Sequence, residues 1–134
     1  MKLTTFTLVT LMVLLACKSK KNVTTHSHDF DSEVTLSVGD SATFEDGLTF
    51  ILKRVTADSR CPKGANCVWA GEVTAVFTAN QEEELTISSD PLKNPVKLGT
   101  YLIQFTKTLP EKEDKDIAQK DYQLTFKITK AVEP

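Results

Sequence analysis

Few side chains in this chain could do chemistry. The candidates are three cysteines (Cys17, Cys61, Cys67), two histidines (His26, His28) and two runs of carboxylates. Redox dithiols sit two residues apart at a helix N-terminus, where the dipole stabilises a thiolate. Cys61 and Cys67 have five residues between them and strand-like sequence on either side, so redox chemistry is not their role. His26 and His28, in His-Ser-His-Asp with Asp29 and Asp31 nearby, offer ligands to a periplasmic metal carrier. They fall, however, in a polar stretch without supporting groups to orient an imidazole, and neither a metal site nor a cofactor is expected. A Ser/His/Asp triad would have to borrow these same histidines. The carboxylates Glu82–Glu84 and Glu111, Glu113, Asp114 and Asp116 would serve a small hydrolase or glycan-processing enzyme only if one were held in an apolar cleft. Their surroundings read as solvated turns, so no catalytic residue is assigned. No phosphate-cradling loop, His-Glu-x-x-His or dinucleotide fingerprint is present.

The first cysteine has a different context. Lys2 starts an apolar run from Phe6 to Ala16, too short for the roughly 20 residues of a spanning helix. A small residue precedes Cys17, the arrangement of a secretory leader with its cleavage site. The ending Leu14-Leu15-Ala16-Cys17 resembles the lipobox of bacterial lipoproteins. That resemblance implies removal of residues 1–16, acylation of Cys17 and a lipid-anchored protein of the cell envelope. Lys18 is not acidic, which within that family implies the outer membrane. With Cys17 spent on lipid in an exported, oxidising compartment, Cys61 and Cys67 are left to pair as a disulfide.

The segment from Asp58 to Gly71 (DSRCPKGANCVWAG) is the least generic part of the chain. Asp-Ser-Arg-Cys-Pro followed by Cys-x-Trp-Ala-Gly resembles a group of small bacterial lipoproteins and secreted proteins without an assigned activity. The likeness implies export and a β fold, but no reaction. Pro62 restricts φ after the first cysteine, and Gly64 and Asn66 tolerate the backbone of a tight ring. Arg60 is placed to pair with Asp58 or to cap loop carbonyls. Two readings of the loop stand. As scaffold, it packs the Trp69 indole near the disulfide inside the fold. As a recognition edge, a rigid loop presents Arg60, Lys63, Asn66 and Trp69 at low entropic cost.

The elements that position this loop alternate with period two. Val34, Leu36 and Val38 oppose Thr35 and Ser37; Ala42 and Phe44 follow. Asp46-Gly47 signals a hairpin with both turn residues at positive φ. Leu48–Val55 is apolar on much of both faces and predicts a central strand. Cys67 through Phe77 predicts one long strand with Trp69, Val73, Ala75 and Phe77 facing inward. Leu85 and Ile87, then Tyr101–Phe105, then Tyr122–Ile128 supply the rest, with Ser88–Lys97 as loop and one short turn at Ile117–Lys120. The expected fold is all-β, a single antiparallel β-sandwich of about seven strands, Greek-key or immunoglobulin-like. A small open β-barrel is the alternative. Residues 1–16 are the leader, 17–32 a lipidated cysteine and flexible tether, and 33–134 the sandwich.

A formal net charge of −2 over 134 residues argues against nucleic acid as partner. The basic cluster Lys18, Lys20 and Lys21 reads as tether beside lipid headgroups. The expected role is therefore a non-catalytic binding or structural module of the envelope. Its partners would be the membrane, through the anchor, and an envelope or external protein.

Overall fold

Alternating apolar positions become strand almost throughout the computed structural model, which describes residues 27–131. The leader, Cys17, Lys18, Lys20, Lys21 and His26 lie outside the described residues. The strands are β1 (Ser27–His28), β2 (Glu33–Ser37), β3 (Ser41–Phe44), β4 (Thr49–Asp58), β5 (Val73–Ala79), β6 (Glu83–Ser88), β7 (Val96–Leu98), β8 (Tyr101–Leu109) and β9 (Gln123–Lys130). Single 3-10 turns occur at Pro91–Lys93 and Gln119–Asp121. One sheet has the order β1-β3-β4-β5-β6 and the other β2-β9-β8-β7. They form an open two-layer sandwich, as the alternation predicts.

Strand order, which alternation leaves open, is simple. The strands from β3 to β6 are a plain meander, simpler than the immunoglobulin pairing. The second sheet is a Greek key whose long connection, from β2 to β7, runs through the first sheet. Among the described residues nine strands replace the expected seven or so, because two short edge segments also pair. Ser27-His28 runs parallel to Thr43-Phe44, and Val96–Leu98 pairs with Tyr101–Ile103. Residues 27–32, read from their polarity as tether, thus lie against the sandwich. Phe30 explains why: its ring stacks on Phe44 and Tyr101 at 5.4 and 5.8 Å, and the Lys130 ammonium lies 4.4 Å from its centre.

The core joins the layers through aromatic rings. Phe50 of β4, Phe77 of β5 and Phe126 of β9 have centroids 4.7, 5.0 and 5.5 Å apart and are fully buried. Offset and edge-on contacts of this kind add to the burial energy of each ring. Facing positions on β2 and β9 pair Val34 with Phe126 and Leu36 with Leu124. β4 changes face midway: Phe50 and Leu52 are buried, Lys53 and Arg54 are both exposed, and Val55 is buried again. Register shifts between Leu52 and Arg54 and between Val55 and Ala57 are the cause, since one extra residue in a strand inverts every later side chain. The Asp46-Gly47 hairpin also differs from expectation. Phe44 and Leu48 close a three-residue loop in which Gly47 alone has positive φ (87°), and Asp46 Oδ1 accepts from Leu48 N at 3.2 Å.

Two side-chain amides stand in for missing strand neighbours. β3 stops short of Val55, and Gln119 takes its place: Val55 N donates to Oε1 and Nε2 donates to Val55 O, both at 2.9 Å. In the other sheet Asn94 does the same for Phe105, at 2.9 and 2.8 Å. Buried backbone polar groups must find partners somewhere, and here a long-range amide supplies them.

Candidate binding site at the disulfide end

β4 leaves the sandwich at Asp58 and β5 enters it at Val73, so residues 59–72 form a long excursion beyond the sheet. Its base is an ion pair. Arg60 donates to both oxygens of Asp58, Nε to Oδ1 at 2.9 Å and Nη2 to Oδ2 at 2.8 Å. Tyr122 Oη donates to the same carboxylate at 3.0 Å. The remaining guanidinium nitrogen donates to the carbonyls of Pro110 (3.0 Å) and Thr108 (3.4 Å). The Asp58 side chain is 5% exposed and that of Arg60 19%. Burial pushes the Asp58 carboxyl upward, but the hydrogen bonds from Arg60 and Tyr122 outweigh it and hold it below the usual carboxylate range. The same burial, reinforced by the Asp58 carboxylate, pushes the Tyr122 hydroxyl up to about 12. Arg60 thus does both structural jobs the sequence offered it, and its guanidinium is committed to the base of the loop.

Above this base Cys61 and Cys67 are bridged, their Cα atoms 5.9 Å apart. Lys63 ties the ring to the excursion between β8 and β9. Its backbone N–H donates to Lys112 O at 2.8 Å, and its ammonium meets Glu111 at 2.9 Å. That contact raises the lysine and lowers the glutamate. Asn66 is exposed on the ring.

After Cys67 the structure departs from the long inward-facing strand. β5 begins only at Val73; Val68 is 97% exposed and Trp69 58%. The indole does not pack inside the sandwich. Its Nε1–H donates to Ser59 O at 3.1 Å, which pins the ring outside the sheet. Gly71 forces this path. It has φ of 71°, and a Cβ there would lie 2.2 Å from Ser59 O, so the chain crosses Ser59 at a distance only glycine permits. Beside it Ser59 N donates to Glu72 O and Glu72 N to Ser59 Oγ, both at 2.9 Å. This pairing is the last step of the β4–β5 ladder, and residues 67–71 lie outside it.

The exposed indole lines a groove of about 340 Å³ with Ser59, Ala70, Gly71, Glu72, Asp90 and Pro91. Glu72 accepts from Ser88 Oγ, and its two carboxylate oxygens lie 2.8 and 2.9 Å from Lys93 Nζ, which donates to both. Lys93 holds the carboxyl below its ordinary range and is itself raised. Asp90 caps the turn at Pro91–Lys93 by accepting from Leu92 N at 3.0 Å, and Leu92 projects outward, 95% exposed. The sequence points to Trp69 but not to Glu72, Asp90, Pro91 and Lys93. Nothing in residues 88–93 except turn-forming composition distinguishes them.

The other candidates lie apart. Glu84 meets Arg54 at 3.7 Å, Glu113 meets Lys115 at 3.7 Å and Asp116 lies 4.0 Å from Lys112. These carboxylates are at the surface, each beside a base. His28 lies against Phe44, 6.0 Å between ring centres, and Asp31 meets Lys127 at 3.6 Å. Among the described residues no three His, Cys, Asp or Glu side chains converge as a metal site would require. The chain matches no protein-family model, no curated protein and no solved structure.

Proposed function

We propose that this is an exported, lipid-anchored envelope protein whose sandwich acts without catalysis, as a module that binds a partner through the Trp69 face of its disulfide end. The observation that carries the reading is the contrast within fourteen residues. Arg60 and the disulfide hold the loop rigidly, while Val68 and Trp69 are held out to solvent. A large aromatic side chain left more than half exposed by a fixed hydrogen bond forgoes much of its burial energy on folding. It loses little entropy on binding, which suits an interface anchor.

Two experiments test this. Metabolic labelling with an alkynyl fatty acid should mark the protein, and Cys17→Ala should lose both the label and sedimentation with membranes. Retained label in Cys17→Ala removes the proposed anchor. A photo-crosslinking amino acid at position 68 in producing cells should give a discrete adduct, and the same residue at exposed Lys53 should give none. Identical patterns from both positions remove the binding module.

A further inference from the structure

The groove beside Trp69 has a chemical bias. Its lining includes two carboxylates, Glu72 and Asp90, and no base. Their negative charge is met from the rim by one ammonium. Lys93 Nζ lies 2.8 Å from Glu72 and 3.6 Å from Asp90, on a side chain that is 57% exposed. An exposed ion pair of this kind is held weakly, because water and salt compete for both partners. The half-open indole is the other half of a cation site, since the face of a tryptophan attracts an ammonium or guanidinium. Its orientation is already set by the bond to Ser59 O.

We propose that this groove is a subsite for a cationic side chain, arginine or lysine, on a protein partner, and that Lys93 occupies the carboxylate pair until the partner's cation displaces it. The inference rests on the binding-module reading and names the chemistry of its partner. The alternative occupant for exposed Val68, Trp69 and Leu92 is the bilayer itself, and the fold disfavours it. β1 pairs with Thr43 and Phe44, next to the β3–β4 hairpin, whereas the groove lies beyond the far end of β4. At about 3.3 Å per residue, β4 separates the two by roughly 30 Å. The residues from Cys17 to Ser27 span at most about 35 Å fully extended. Turning the groove onto the membrane would consume nearly all of that reach.

Trp69 is the single tryptophan, so its fluorescence reads the groove directly. The full chain is titrated with an end-blocked Gly-Arg-Gly peptide, with the same peptide carrying citrulline, and with cellohexaose. The expected result is a saturable change with the arginine peptide that salt weakens and that citrulline does not reproduce. Lys93→Ala should tighten binding several-fold, and Glu72→Gln should abolish it. Asp90→Asn, which keeps the acceptor for Leu92 N, should weaken binding and guards against a folding defect in the Glu72 variant. Equal response to citrulline, unchanged affinity in Lys93→Ala, a response to cellohexaose alone, or no saturable change in either protein overturns the proposal. The crosslink from position 68 does not depend on charge. An adduct there without an arginine response sinks the cation subsite alone, whereas loss of the position-specific adduct sinks the module.

Discussion

Each end of the sandwich joins an aspartate, a tyrosine and a base, in different settings. At the β3–β4 hairpin, Asp46 accepts from Tyr101 Oη at 2.5 Å and meets Lys130 at 3.3 Å. At the disulfide end, Asp58 accepts from Tyr122 Oη and from Arg60. In both, burial pushes the aspartate up and its hydrogen bonds more than offset that, and in both the tyrosine is raised. The difference lies in exposure and in the base. Asp46 and Lys130 side chains are 26% and 53% exposed, against 5% and 19% for Asp58 and Arg60. A lysine supplies a point charge, whereas the planar guanidinium engages both oxygens and still has a nitrogen for two carbonyls. Composition alone does not make a structural keystone; a dry site and a forked donor do.

Removing the base should separate the two ends most sharply. Arg60→Ala strands a buried carboxylate, and breaking a buried pair costs about 3–5 kcal/mol. Lys130→Ala should cost under about 1 kcal/mol, as exposed pairs do. Urea unfolding of both variants checks this, and equal losses would erase the distinction. Only Arg60→Ala should also raise acrylamide quenching of Trp69, because Ser59 O, the acceptor of the indole N–H, directly precedes Arg60.

The staple comes next. Replacing Cys61 and Cys67 with serine opens a seven-residue ring, which the chain-entropy model values at roughly 2 kcal/mol. The loss should appear in the unfolding midpoint while the Asp58–Tyr122 contact survives, since that contact lies in the base rather than in the ring. A loss matching that of Arg60→Ala would show that the base does not stand alone.

How much of this was legible beforehand follows from interaction range. Alternation from Val34 to Ile128 marks the buried faces because period two is a local property. The disulfide pairing followed from the export reading, and the Asp58–Arg60 pair from a separation of two residues. The path of Trp69 was not legible. From Cys67 to Phe77 every second residue but Gly71 is core-like, yet Gly71 crosses Ser59 and Glu72 pairs with it, so tertiary approach overrides the pattern. The bulges in β4 likewise hide at Lys53 and Thr56, polar residues that match either face. Tyr122 meets Asp58 across 64 positions, and Gln119 meets Val55 across the same separation. No local pattern encodes contacts of that span. Residues 88–93, which complete the groove, reach it only through the pairing of β5 with β6.

Proton linkage should distinguish the ends next, with a sign for each group. Asp58 has a depressed folded pKa, so its contribution is present above the unfolded value near 3.9 and is lost as pH falls through the folded one. Tyr122 is raised to about 12, so its contribution is full below the unfolded value near 10 and is lost as pH climbs through about 12. Tyr122→Phe removes a hydrogen bond to a charged group, about 1.5–3 kcal/mol at neutral pH, and should flatten the alkaline limb of the stability profile. An unaltered limb would assign that titration to another group.

The smallest effect is expected at Asp46. In Asp46→Asn the amide oxygen can still accept from Leu48 N, and the Tyr101 hydroxyl keeps an acceptor if the amide turns. Only the charge toward Lys130 is lost. Because that lysine is half exposed, salt already screens much of the attraction. The cost should stay within about 1 kcal/mol and shrink further as salt rises. Asp58→Asn, by contrast, should be several-fold more costly and nearly insensitive to salt, because its partner is shielded from water. If both asparagine variants respond to salt alike, burial is not what sets the two ends apart, and the forked geometry of Arg60 must account for the whole difference.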